Sequence, residues 1–180
     1  MAGRCLVVAN QTLGGTELSR ALEDCIARGI RRFHVVVPRT PVEHETAIWT
    51  GGYGIGDGFW MPAVAEDELE EILAENSRRR QAADEEAERR ARLRLDRVLE
   101  QIRAAGGAAD GEVGSEDPLE AATQAMAHPP PFDEVIVSTL PSGISRWLQM
   151  DLPSRIGRLT DAPVTTIEAE PDRIGADPEG

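Results

Sequence analysis

Three stretches decide the fold: Cys5-Leu-Val-Val-Ala9, Gly14-Gly15 and Phe33-His-Val-Val-Val37. The first is a continuous apolar run rich in β-branched residues that ends at Asn10, the pattern of a strand buried on both faces of a parallel sheet. After the glycine turn, Thr16 is placed as an N-cap, with Glu17 favourable in the first turn. Leu18, Leu22, Cys25 and Ile26 then recur at helical spacing, and Gly29 is a natural C-cap. Phe33 to Val37 reads as a second buried strand, stopped by Pro38. Strand, helix and strand within about 35 residues make a βαβ unit, whose crossover is right-handed.

Beyond this unit the pattern loosens. Thr40 to Val64 carries Gly51-Gly-Tyr-Gly-Ile-Gly-Asp-Gly58 between Trp49 and the pair Phe59-Trp60. Loops this long are functional or disordered. Trp49, Tyr53, Phe59 and Trp60 among alternating glycines describe a flap that closes over a ligand or inserts into a partner, or else a disordered insertion with incidental aromatics. The glycines are not a dinucleotide fingerprint, because they follow no strand-to-helix unit in the right order. Glu66 to Ala105 reads as helix, apolar at Leu69, Ile72 and Leu73 and again at Leu93, Leu95, Val98, Leu99 and Ile102. Between these ends, Glu75 to Arg90 is almost wholly charged residues and alanine. One helix of that length spans roughly 60 Å, so the pattern predicts either a break near Asn76–Ser77 or an exposed stretch held by i,i+4 pairs such as Glu86 with Arg90.

Regular order returns with Ala108 to Val113, a weak strand. Asp117-Pro118 supplies an N-cap and a first-turn proline for a helix through Leu119, Ala122 and Met126, ended by Pro129-Pro-Pro131. Asp133 to Thr139 is a clear strand, followed by a Ser/Gly turn and a helix carrying Ile144, Trp147, Leu148, Leu152, Ile156 and Leu159, with a kink or restart at Pro153. Trp147 belongs to core or interface by its spacing. Pro163 to Glu168 is the last strand. Five strands alternating with helices predict an α/β domain over residues 1–170 with a doubly wound parallel sheet, interrupted by a loop and charged helix at 41–80. The polar tail, 171–180, is expected to be disordered.

Charge and chemistry exclude more than they assign. Thirty-two acidic residues oppose 19 basic ones, and the net charge of -13 repels nucleic acid and anionic membranes. Every basic residue is arginine, so neither Schiff-base chemistry nor a Walker-type lysine is available. No apolar stretch approaches spanning length and no leader is visible, which predicts a cytoplasmic protein. Cys5 and Cys25 then read as two buried thiols, a single disulfide being the alternative. His34, His44 and His128 show no ligand spacing, so no metal is expected. Ser142 and Ser145 lack a nucleophile-elbow pattern, the glutamate runs are solvated helix faces, and no catalytic residue is assigned.

The succession of elements resembles the universal stress protein family, an adenine-nucleotide α-hydrolase-like fold. Leu6-Val-Val-Ala-Asn-Gln-Thr12 is similar to that family's first strand, with Asn10 where an acidic residue commonly faces adenosine. Val135-Ile-Val-Ser-Thr-Leu-Pro-Ser-Gly-Ile-Ser-Arg-Trp-Leu148 resembles its fourth strand and phosphate loop. Leu152 to Leu159 and Ala162-Pro-Val-Thr-Thr-Ile167 are similar to its closing helix and strand, while residues 41 to 80 have no counterpart. ATP-binding members carry Gly-x2-Gly-x9-Gly-Ser/Thr, whose glycines let backbone amides approach the phosphates. Here those positions fall on about Ser138 and Pro141, then Met150 and Asp151, with Gly143-Ile-Ser-Arg146 surviving between them. Pro141 removes an amide donor, and Asp151 sets a carboxylate against a triphosphate at a cost of about 1–4 kcal/mol.

The resemblance therefore implies a non-enzymatic binding or regulatory protein with an impaired ATP site, homodimeric through its last strand. Candidate ligand residues are Asn10, Gln11, Val37, Thr139, Ser142, Gly143, Ser145 and Arg146, with ATP, AMP or a small anion as ligand. One alternative is a nucleotide-binding stress protein with weak ATPase activity that uses a modified loop. Another is an interaction scaffold working through the aromatic loop 49–60 and the charged helix.

Overall fold

The computed structural model describes residues 3–9, 16–39, 66–139 and 151–168, with side chains from residue 74 onward in the third stretch. Its elements run β1 (Gly3–Ala9), α1 (Thr16–Ala27), β2 (Ile30–Pro38), α2 (Glu66–Ala104), β3 (Ala108–Gly114), α3 (Pro118–Met126), β4 (Glu134–Thr139), α4 (Leu152–Gly157) and β5 (Val164–Glu168). The strands form one sheet in the order β3-β2-β1-β4-β5. All four pairings are parallel, as the alternation of strands and helices predicts.

β1 and β2 are buried on both faces because helices cover both. On the first face Cys5, Val7, Phe33, Val35 and Ile136 meet Leu18, Leu22 and Cys25 of α1 and Ala91, Leu95, Val98 and Ile102 of α2. On the second, Leu6, Val8, Val36, Val135 and Val137 meet Ala121, Ala122 and Ala125 of α3 and Leu152 and Ile156 of α4. α1 begins at Thr16, which is its first helical residue rather than its cap. It ends at Gly29, whose φ of +94° is the left-handed turn that glycine tolerates, with the Gly29 amide donating to the Ile26 carbonyl at 3.0 Å.

α2 is continuous over 39 residues, about 58 Å of axis. The alternative with a break near Asn76–Ser77 is not what forms. The segment contains neither Gly nor Pro, and its charges pair along the helix. Arg79 reaches Glu75 at 3.0 Å, Arg90 reaches Glu86 at 2.8 Å and Arg92 reaches Glu88 at 3.1 Å. Residues 74–82 are all exposed, whereas Ala87, Ala91, Leu95, Val98 and Ile102 form a stripe at steps of three and four that seats on the sheet. Leu93, grouped with that apolar end by the sequence reading, is 54% exposed because it falls off the stripe. The side chains of Leu69, Ile72 and Leu73 lie outside the described ones.

Asp117 caps α3 as expected, its Oδ1 accepting from the Leu119 amide at 2.8 Å and the Glu120 amide at 3.4 Å, with Pro118 in the first turn. The helix stops at Met126, short of the three prolines. Pro153 lies in the first turn of α4, so it marks a restart. Asp151, immediately before it, is left-handed at φ 54°, ψ 37° and makes no side-chain capping bond. Leu159, read as part of this helix's apolar face, lies past its end and is half exposed. β5 is an edge strand that buries Ile167 and exposes Thr165, Thr166 and Glu168.

Candidate functional site

The sheet's connections reverse at its centre. From β1 the chain passes through α1 and α2 on the first face to β2 and β3. From β3 it returns through α3 on the second face to β4, and then through α4 to β5. β1 and β4 lie side by side but send the chain away in opposite directions, and their carboxyl ends mark the switch point at which open α/β sheets take ligands.

In the β1–β4 register, Ala9 pairs with Ser138, and Thr139 is the next residue. Ser138 and Thr139 are both completely buried, so two hydroxyl side chains stand under that edge. Val37 reaches the same edge on β2 and is buried on the first face against α2. Thus Val37 and Thr139, two of the candidates, stand at the same carboxyl edge, Val37 on the first face and Thr139, in step with Val135 and Val137, on the second. Asn10, Gln11, Ser142, Gly143, Ser145 and Arg146 lie outside the described residues, as do Trp49, Tyr53, Phe59 and Trp60 of the flap.

A second polar group, missed from sequence, occupies the opposite edge. Cys5 and Cys25 are fully buried free thiols packed in one core cluster, and the Cys5 thiol donates to the Leu6 carbonyl at 3.5 Å. Arg28, three residues beyond Cys25 and just past the end of α1, donates to the Cys25 sulfur at 3.2 Å and to the Glu134 carboxylate at 2.5 Å. The neighbouring Cys5 thiol, with the Arg28 guanidinium, pushes the Cys25 thiol below its ordinary pKa. The neighbouring Cys25 thiol, reinforced by burial, pushes Cys5 up. Cys25-x-x-Arg28 is visible as a helical i,i+3 pair. Its meeting with Cys5 and Glu134 depends on the β1–β4 register, in which Cys5 pairs with Glu134, and no local pattern encodes that.

His34 lies inside β2, as read from sequence, and gains acidic neighbours from β3. Its Nδ1 faces the Asp110 carboxylate of β3, and its Nε2 lies 3.5 Å from Glu112. Asp110 is the register partner of His34, so the cluster is built by the β2–β3 pairing. Among the described residues no group of three or more His, Cys, Asp or Glu is placed to hold a metal ion. A cleft of about 220 Å³ lies between α1 and α2, lined by Ser19, Leu22, Glu23, Gln101, Ala104 and Ala105 and by no strand residue. No described helix is long and apolar enough to cross a membrane.

A parallel sheet wound both ways from its centre defines an open, doubly wound α/β fold. The chain is similar to solved universal stress proteins. One is a universal stress protein family protein from Arabidopsis thaliana with AMP bound, at 10% identity and TM-score 0.49, covering 98% of this chain and 97% of that one. Another is from Archaeoglobus fulgidus, at 14% identity and TM-score 0.47, covering 92% and 93%. A third, in complex with cAMP, has 12% identity and TM-score 0.47, covering 94% and 98%. No protein-family model and no curated protein matches the chain. The fold class itself rests on the strand order and connections described above.

Proposed function

We propose that this chain is a non-enzymatic, universal-stress-protein-like regulatory protein of the cytoplasm that binds an adenine mononucleotide, AMP rather than ATP, at the switch point between the carboxyl ends of β1 and β4. The observation that carries this reading is the placement of Ser138 and Thr139, fully buried, beside the end of β1 at the point where the windings part. The strand ends there (Ala9, Val37, Ser138 and Thr139) bring apolar surface and hydroxyls rather than an acid–base pair, which suits binding more than catalysis. AMP is favoured over ATP by Pro141 and Asp151, which stand where the resemblance puts phosphate-loop positions. Calorimetric titration tests the reading. AMP binding at least about tenfold tighter than ATP, a difference of about 1.4 kcal/mol, supports it; equal or tighter ATP binding, or no heat with either at millimolar ligand, overturns it.

The reading includes a homodimer through β5, whose open edge and exposed Thr165 and Thr166 would otherwise remain a pairing hazard. Light scattering that gives a concentration-independent 19.5 kDa particle rejects the dimer. A scaffold role is favoured by one observation, the wholly exposed stretch 74–82 of α2. A partner lost on deleting residues 49–60, with the circular dichroism spectrum intact, supports that role.

A further inference from the structure

We propose that Cys5 and Cys25 form an oxidisable dithiol, a modification site at the amino-terminal edge of the sheet that peroxide converts to an intramolecular disulfide. The geometry is that of an attacking and a resolving pair. Both cysteines lie in one buried cluster between β1 and α1, near enough that each thiol shifts the other's proton affinity. The Arg28 guanidinium, 3.2 Å from Cys25, stabilises negative charge on that sulfur and makes it the attacking thiolate. Glu134, only 9% exposed, holds the guanidinium in place at 2.5 Å. Cys5 keeps its proton until it is needed.

The step balances with hydrogen peroxide as the oxidant. The Cys25 thiolate attacks one peroxide oxygen, the O–O bond breaks, and hydroxide leaves Cys25 as a sulfenic acid. Cys5 then attacks the sulfenic sulfur, the S–O bond breaks as the S–S bond forms, and the departing oxygen, taking up a proton, leaves as water. With the first hydroxide protonated by the thiol proton originally on Cys25, two thiols and one peroxide give one disulfide and two waters.

Access is short despite the burial. The Arg28 side chain is 58% exposed and reaches the Cys25 sulfur at 3.2 Å, so a solvent-facing side chain touches that sulfur directly. The closed bond would tie β1 to α1 and make a ring of the chain between them. Residues 10–15, which leave the carboxyl end of β1, lie within that ring.

Peptide mapping by mass spectrometry tests this on the full chain. The protein is exposed to a small excess of hydrogen peroxide, denatured and alkylated, with and without prior reduction. The expected result is a Cys5–Cys25 linked peptide, lighter by two hydrogens and restored to two alkylated thiols by dithiothreitol. Both cysteines alkylated after peroxide overturn the proposal. In Cys5→Ser, Cys25 should accumulate as a sulfenic acid trapped by dimedone; trapping only at Cys5 in Cys25→Ser reverses the assigned roles and rejects the mechanism. Arg28→Gln should slow disulfide formation several-fold and move its pH profile to higher pH, with Arg28→Lys restoring most of the rate. An unchanged profile in Arg28→Gln removes the guanidinium from the mechanism.

Discussion

On the first face of the sheet, Phe33, Leu18, Leu22, Val98 and Ile102 fill the layer under α1 and α2 with large side chains. On the second, α3 meets the strands through Ala121, Ala122 and Ala125. The first face gains stability from side-chain volume, the second from close approach of backbones. Strand β3 serves both. A methyl group at Gly111 would lie 2.3 Å from the Val35 carbonyl oxygen and 2.8 Å from Leu95 of α2. One at Gly114 would lie 2.6 Å from the Ala121 methyl of α3. The edge strand is thus thinned at two points, once for each layer of helices.

The contrast is broken most severely by hollowing the first face. Phe33→Ala removes a ring that is 2% exposed and should cost about 3–5 kcal/mol, read as a lowered urea midpoint with the slope unchanged. Overfilling comes next. Gly111→Ala, which drives a methyl group against a carbonyl, should cost the upper part of about 1–3 kcal/mol, and Gly114→Ala, facing a methyl and a valine branch, the lower part. If Gly114→Ala proves the more damaging of the two, close approach limits the second face more tightly than volume limits the first. Asp117→Ala strips two amides at the start of α3 of their acceptor and should cost about 1 kcal/mol, measured by thermal melting. The smallest effect belongs to the solvated stretch of α2: Glu75→Gln should cost about 0.3–0.5 kcal/mol and lose that cost in molar salt, because its pair with Arg79 is surface-lying.

Much of this architecture is legible in sequence where local chemistry decides it. The apolar runs of β1, β2 and β4, the Gly29 stop and the Asp117-Pro118 start each carry their own signal, and each forms where its signal stands. Boundaries were harder. α2 runs unbroken because nothing in its chemistry ends it, whatever its length relative to the sheet. Leu93 and Leu159 misled because hydrophobicity alone does not say which way a side chain faces. The switch point was half visible: strand ends name Val37 and Thr139, but the burial of Ser138 beside them follows from the β1–β4 pairing. The Cys5–Cys25–Arg28–Glu134 group and the His34–Asp110 contact were invisible for the same reason. Each needs partners set by strand order, more than 70 residues apart in the chain.

That strand order has a consequence for synthesis. β1 and β4, which meet at the switch point, pair residues as distant as Cys5 and Glu134, while β1, β2 and β3 can associate before β4 leaves the ribosome. The amino-terminal part can acquire most of its first-face core while β1 still lacks its partner β4. The edge shared by β1 and β4 therefore forms late and all at once, when translation has passed β4 and the sheet closes around its centre.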